Sequence, residues 1–233
     1  MSTIAIIPAR AGSKRIKKKN VRLFHGKPII EWVIDAALRS KLFKKVIVST
    51  DSEEIANLSN SVGAEVPFIR PQELSGDDIG LIDVVNHAIC EIEKEKTNFD
   101  IVTMLYPTAP FVSSTSISKS LEAIQHYDFS VSVCAFSHPI GRALRFSDKN
   151  QLLEMISKKN YTSRSQDLEQ FYHDSGQFVS GTKEAWKTKI PFVSGKTAGI
   201  VIPRFLAQDI DSEDDWIEAE IKFSVLKTRG LLK

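Results

Sequence analysis

Short apolar runs of strand length alternate with segments of helical period from the N-terminus onward. No other feature constrains the fold as tightly. Residues 3–7 form such a run, stopped by Pro8. Pro28 then opens a helix whose Ile30, Val33, Ile34 and Ala37 share one face. Residues 45–50 (KVIVST) are β-branched and strand-like. Asp51 with Glu54 three residues on reads as a capping box, leading a helix that buries Ile55, Leu58 and Val62. A further short strand covers 65–69, a helix carries the stripe Ile82, Val85, Ile89 and Ile92, and 101–105 is a buried strand. A helix over 114–126 buries Ile117, Leu121 and Ile124, and 129–136 returns to strand. This order predicts an α/β chain, a mostly parallel sheet with helices on both faces.

The alternation stops near Phe136. Residues 137–170 are polar and without helical period, an insertion or arm outside the main sheet or else a plain surface excursion. Strands follow around Phe178 and over 199–202. A last helix starts near Ser212 with Trp216, Ala219, Phe223 and Leu226 on one face. No internal repeat, low-complexity tract or linker divides the chain, so a single domain over 1–233 is expected.

Lys and Arg number 31 against 29 Asp and Glu, a net charge of +2, so any basic site is local and no nucleic-acid partner is expected. No apolar run approaches the ~20 residues a bilayer demands. The first residues carry no basic segment ahead of a short apolar stretch, unlike a signal peptide. Cys90 and Cys134 make no metal spacing and are expected as buried free thiols. A cytoplasmic protein without a membrane partner is the expectation.

Two constellations carry chemistry. After the first strand, residues 8–20 read PARAGSKRIKKKN, placing Arg10, Lys14, Arg15, Lys17, Lys18 and Lys19 around a tight turn at Gly12 and Ser13. Ligands of α/β sheets bind at such loops, and backbone N–H groups beside a glycine can form an anion nest. Neither the Walker spacing nor a three-glycine dinucleotide fingerprint is present. So dense a cluster of cations suits a triphosphate better than a single phosphate. Near the other end stand Asp209, Asp211, Glu213, Asp214 and Asp215. In extended backbone Asp209 and Asp211 point to the same face, a minimal Mg²⁺ site that phosphates and waters would complete. Capping of the last helix, by Ser212 or Asp211, accounts for the cluster equally well, and both readings stand at this level.

The remaining conspicuous residues are weaker signals. His173 and Asp174 could orient a substrate or make a structural hydrogen bond. His25, His87, His126 and His138 show no ligand spacing, and Trp32 and Trp216 belong in helices facing the core.

The segments IPARAGSKRIKKKN, KPIIEWVIDAAL, VIVSTDSEEIA, GAEVPFIRPQEL, YPTAP, FYHDSGQF and DIDSEDDW occur in this order over nearly the whole chain. In them the sequence resembles the cytidylyltransferases that make CMP-activated nonulosonic acids. KRI, YPTAPF and FYHDSGQF look most like the pseudaminic acid branch. Leu81 and Tyr106 stand where sialate-activating relatives often carry Ser and Gln. Ala11 and Lys17 depart from the Gly and Pro common in the family's loop.

The resemblance implies a Rossmann-like nucleotidyltransferase fold and a homodimer, with 137–172 contributing to the dimer contact. It implies CTP as donor, Mg²⁺ as cofactor and a nonulosonic acid as acceptor, for surface or flagellar glycan synthesis. Arg10, Gly12, Ser13, Lys14, Lys19, Asn20 and Arg70 match positions that hold the nucleotide, and Asp209 and Asp211 match the metal pair. Arg10, Lys14 and Lys19 would stabilise charge during transfer. Tyr106, Arg164 and Gln177 are expected at the sugar acid. Sialic or legionaminic acid as acceptor, or a catalytically silent nucleotide-binding protein, are the competing readings.

Overall fold

A computed structural model of the chain describes residues 1–146 and 153–232. Strand β1 (Thr3–Pro8) is buried on both sides, Ala5 and Ile7 joining one apolar cluster and Ile4 and Ile6 another. The basic loop leads into a two-stranded ribbon, β2 (Leu23–Phe24) and β3 (Lys27–Pro28), and Pro28 is the N-cap residue of α1 (Ile29–Ser40). The expected face of Ile30, Val33, Ile34 and Ala37 is buried there. Strand β4 (Lys45–Ser49) pairs parallel with β1.

Helix α2 (Glu53–Ser61) begins one residue later than the sequence suggests. Its N-cap is Ser52, whose hydroxyl accepts from the Ile55 amide at 3.4 Å. The Asp51–Glu54 capping box does not form. Asp51 instead accepts from the Ala11 amide at 2.8 Å, and Glu54 pairs with Lys18 at 2.8 Å, so both acids brace the basic loop. The strand expected at 65–69 is reduced to isolated bridges, Glu65 to Ile47 and Ile69 to Thr50. Pro67 between them has no N–H for a ladder.

Helix α3 (Leu81–Lys94) buries Val85, Ile89 and Ile92. Cys90 is exposed rather than buried, because one step past Ile89 turns it about 100° from the core face. Cys134 is buried as expected. The chain continues through β5 (Ile101–Leu105), α4 (Ser114–Ala123) and β6 (Phe129–Ala135). An arm outside the main sheet then carries the antiparallel pair β7 (Leu144–Phe146) and β8 (Leu153–Met155). Strand β9 (Tyr172–Thr182), the short α5 (Lys183–Lys187), β10 (Thr197–Val201) and α6 (Glu213–Thr228) complete the order.

The main sheet has the strand order β10-β6-β9-β5-β1-β4. β1 runs parallel to β4 and β5, and β10 parallel to β6, while β9 is antiparallel to both its neighbours. The sheet is therefore mixed, with helices on both faces. Side chains of α1, α2 and α4 fill one face and those of α3 and α5 the other. A third cluster lies off the sheet, where Phe24, Ile29 and Phe111 meet Trp216 and Phe223 of α6. Ile16 of the basic loop and Ile210 of the acidic segment are buried in that same cluster. Two segments nearly two hundred residues apart in sequence are thus anchored side by side.

Candidate active site

A cleft of about 380 Å³ opens beyond the C-terminal ends of β1 and β5, where parallel α/β sheets place their ligands. Its lining includes Arg10, Ser13, Lys14, Lys19 and Asn20 of the basic loop, Arg70 and Leu81, and Tyr106, Asp209 and Asp211.

The basic loop is held, not loose. Asn20 Nδ2 donates to the Arg10 carbonyl at 2.9 Å, and the Ser13 amide closes a turn on Ala11 O at 2.9 Å. Gly12 sits at that turn but not in the cleft lining, its φ is not left-handed and an added Cβ would meet nothing. Lys19 Nζ reaches the Ile210 carbonyl at 2.6 Å and Asp211 Oδ1 at 3.4 Å, and Arg15 Nη2 pairs with Asp211 at 2.8 Å. Arg10 Nη2 lies 2.6 Å from Asp77 Oδ1, and Lys14 pairs with the other oxygen of that carboxylate. Lys14, then Arg10, hold the Asp77 carboxyl below its ordinary range. Arg70 is buried with its Nε unpartnered, and burial lowers its pKa against the raising effect of Asp51.

The acidic cluster divides into two functions. Ser212 is the N-cap of α6 and Asp215 completes the capping box: the Asp215 amide donates to Ser212 Oγ at 3.2 Å, and Asp215 Oδ2 accepts the Ser212 amide at 2.7 Å. Glu213 pairs with Arg22 at 2.7 Å. The Asp209 and Asp211 carboxylates take no part in capping, although the Asp211 amide donates to Asp215 Oδ2 at 3.0 Å; both residues line the cleft, while Ile210 between them is buried. Burial, followed by the neighbouring Asp211 charge, pushes the Asp209 carboxyl above its ordinary value. No group of three or more His, Cys, Asp or Glu suited to a metal ion occurs among the described residues. The chain alone therefore offers a partial set of two hard oxygen donors. That fits Mg²⁺, which is commonly held by one or two carboxylates plus substrate phosphates.

Beside this cleft lies a second cavity of about 290 Å³, lined by His173, Asp174, Ser175 and Arg204 among others. Asp209 lines both cavities. Asp174 accepts from the Gly176 amide at 2.8 Å, and its carboxyl is raised, chiefly by burial. Burial, with the charges of Asp174 and Asp209, pushes the Tyr106 phenol above its ordinary value, so it stays protonated and can donate. His173 does not pair with the Asp174 side chain; its Nδ1 meets the Asp174 carbonyl at 2.7 Å.

Two residues expected at the sugar acid line neither cavity. Gln177 is buried behind the site, its Nε2 donating to Leu206 O at 2.6 Å. Its Oε1 is buried without a partner. Arg164 is on the arm and lines neither cavity of its own chain. Sequence reasoning singled out Asp174 with His173 but missed Asp77, in a polar stretch with no period, and Arg204, a lone cation in the otherwise apolar run 202–207.

Gly176 has φ +66°, and a Cβ there would come 3.2 Å from Asp209 Cγ. Gly176→Ala should cost about 1–2 kcal/mol through the left-handed backbone. It should also push Asp209 out of place, lowering kcat more than it raises KM for nucleotide. Paired melting and steady-state measurements check both parts.

The cytidylyltransferase family matches residues 4–183. The chain belongs to that family. A pseudaminic acid cytidylyltransferase of Campylobacter jejuni subsp. jejuni serotype O:2 is 39% identical over 97% of both chains. An N-acylneuraminate cytidylyltransferase of Escherichia coli O18:K1:H7 is 30% identical over 91% of this chain and 50% of its own length. Among solved structures, CMP:2-keto-3-deoxy-manno-octonic acid synthetase complexed with CTP superposes with a TM-score of 0.71 at 14% identity, covering 96% of this chain and 99% of that one. At that identity the likeness speaks for the fold.

Proposed function

We propose that this cytidylyltransferase transfers CMP from CTP to the anomeric hydroxyl of a nonulosonic acid, pseudaminic acid foremost, with release of pyrophosphate. The observation that carries the reading is Asp209, which stands at the junction of a cation-walled cleft and a second polar cavity. A transferase needs donor and acceptor to meet at one point. The near-full-length likeness to a pseudaminic acid cytidylyltransferase supports the choice of acceptor.

In this reading Arg10, Lys14, Lys19, Ser13 and Asn20 bind the triphosphate, and Arg70 and Leu81 form the wall toward the base. The acceptor occupies the second cavity, where Arg204 and His173 offer partners to its carboxylate, and Tyr106 of the adjoining cleft donates a hydrogen bond. Its hydroxyl attacks the α-phosphorus as the bond to pyrophosphate breaks. Alignment and charge neutralisation supply most of the rate in such transfers. Asp209 and Asp211 would hold Mg²⁺, which when bound supplies positive charge to the phosphate oxygens.

The arm exposes Leu144, Phe146, Leu153, Ile156 and Tyr161, apolar surface that a polar excursion would not carry. We assign this surface to a homodimer contact, which would also let Arg164 serve the partner's site. No helix among the described residues is long and apolar enough to cross a membrane.

Pyrophosphate release tests the reaction. CTP with pseudaminic acid should give the highest kcat/KM among CTP, ATP, GTP and UTP crossed with pseudaminic, legionaminic and sialic acids. Equal turnover of ATP or GTP would remove the donor assignment, and a higher kcat/KM for sialic or legionaminic acid would transfer the acceptor assignment. CTP binding without turnover of any sugar would favour a silent nucleotide-binding protein.

A further inference from the structure

Asp77 belongs to the segment between the RPQEL stretch and α3, and its two carboxylate oxygens are divided between two cations. Arg10 Nη2 stands 2.6 Å from one oxygen, and Lys14 Nζ pairs with the other. Arg10 also donates through Nη1 to the Ser75 carbonyl at 3.4 Å, so the same segment contacts it twice. All three side chains line the cleft, with Asp77 39% and Lys14 81% exposed, so the contact is open to competition from solution. Neither cation pairs with any other acid among the described residues, and the adjacent Asp78 forms no ion pair among them.

Carboxylate and phosphate oxygens present similar acceptors to a guanidinium or ammonium, so one set of donors cannot fully serve both. We propose that Asp77 is an internal competitor of the triphosphate. It occupies Arg10 and Lys14 while the cleft is empty, is displaced when nucleotide binds, and returns to them as pyrophosphate leaves. The proposal rests on the assignment of Arg10 and Lys14 to the phosphates made above. Nucleotide affinity is then a difference between two anions on the same cations, and each is weaker for the other's presence. Such a device lowers ground-state and product binding alike, leaving kcat free of a tightly held polyanion. The opposite role, in which Asp77 orients Arg10 for catalysis, predicts effects of opposite sign on binding.

The test compares binding of CTP and of inorganic pyrophosphate to wild type, Asp77→Asn and Asp78→Asn by titration calorimetry, without sugar. Pyrophosphate inhibition of turnover is measured on the same proteins. Asp77→Asn should bind both anions about three- to tenfold tighter, the range expected for removing partly exposed ion pairs. Pyrophosphate inhibition should strengthen in parallel, and Asp78→Asn should change much less. Equal tightening in the two variants would show only a general loss of negative charge and overturn the proposal. Weaker binding by Asp77→Asn would overturn it in favour of an orienting role. Asp77→Ser, carrying no amide, repeats the measurement should the first variant melt below wild type. Failure of wild type itself to bind either anion would remove the phosphate assignment and this proposal with it, an outcome separate from the others because it appears in the unmutated protein.

Discussion

Asp209→Asn and Asp211→Asn should each reduce CMP transfer by about 10²–10³-fold, the loss seen when one preorganised electrostatic contact is removed from a transfer site. Triphosphate and attacking hydroxyl are both electron-rich, and these two carboxylates line the same cleft as the cations proposed to bind phosphate. The two variants should differ in stability. Asp209 is penalised by burial and by Asp211, so in the metal-free protein its protonated form is favoured by folding. A carboxyl raised in this way contributes fully below its unfolded pKa, and that contribution is lost as pH rises through the folded value. At neutral pH the ionised Asp209 is a cost, so Asp209→Asn should melt at or above wild type, with its advantage growing from acid to neutral pH. Asp211 instead pairs with Arg15 and Lys19 in a partly exposed setting, so Asp211→Asn should melt slightly lower. Ser212→Ala is the control: it removes the cap, costs about 1 kcal/mol and leaves turnover nearly unchanged. Melting curves and turnover on the same samples, with Mg²⁺ titrated, give every comparison. Full activity in Asp209→Asn would take that residue out of the chemistry.

Trp186→Ala should destabilise the fold by about 3–5 kcal/mol, the usual cost of deleting a fully buried large aromatic. Trp186 has no exposed surface, its ring stands perpendicular to Phe129 at 5.2 Å, and its Nε1 donates to the Val102 carbonyl at 3.1 Å. Asn86 of α3 donates to its carbonyl at 2.6 Å, so one residue ties α3, α5, β5 and β6 together. For a chain of this size the expected fall in Tm is roughly 6–20 °C. Below that temperature turnover per folded molecule should stay near wild type, because Trp186 lines neither cavity. A melting temperature within a degree or two of wild type would mean the cavity had collapsed almost completely.

The two constellations that define the site were legible because each depends on local chemistry. A loop dense in Lys and Arg after a strand, and carboxylates spaced by one residue, can be recognised without knowing what they face. The division of the acidic cluster was not legible, since Asp209, Asp211 and Asp215 are chemically alike. Only the start of α6 at Glu213 makes Asp215 a cap and leaves the other two to the cleft. Asp51 shows the same limit in reverse: it has a capping residue's sequence and a loop-bracing residue's position.

By itself the sequence determined the α/β class, the buried stripes of the long helices and a set of expected site residues most of which line one cleft. Periods of two and near four residues, and charge density, are properties of short segments. Tertiary structure alone decided the antiparallel entry of β9 between β5 and β6, the burial of Gln177, the exposure of Cys90 and the meeting of Asp77 with Arg10 and Lys14. Strand direction depends on where the chain re-enters the sheet, and a salt bridge on which loops end side by side. Ile16 and Ile210 set that meeting for the basic loop and the acidic pair by sharing one core with α6. Neither isoleucine carries any chemical signal of the site it positions.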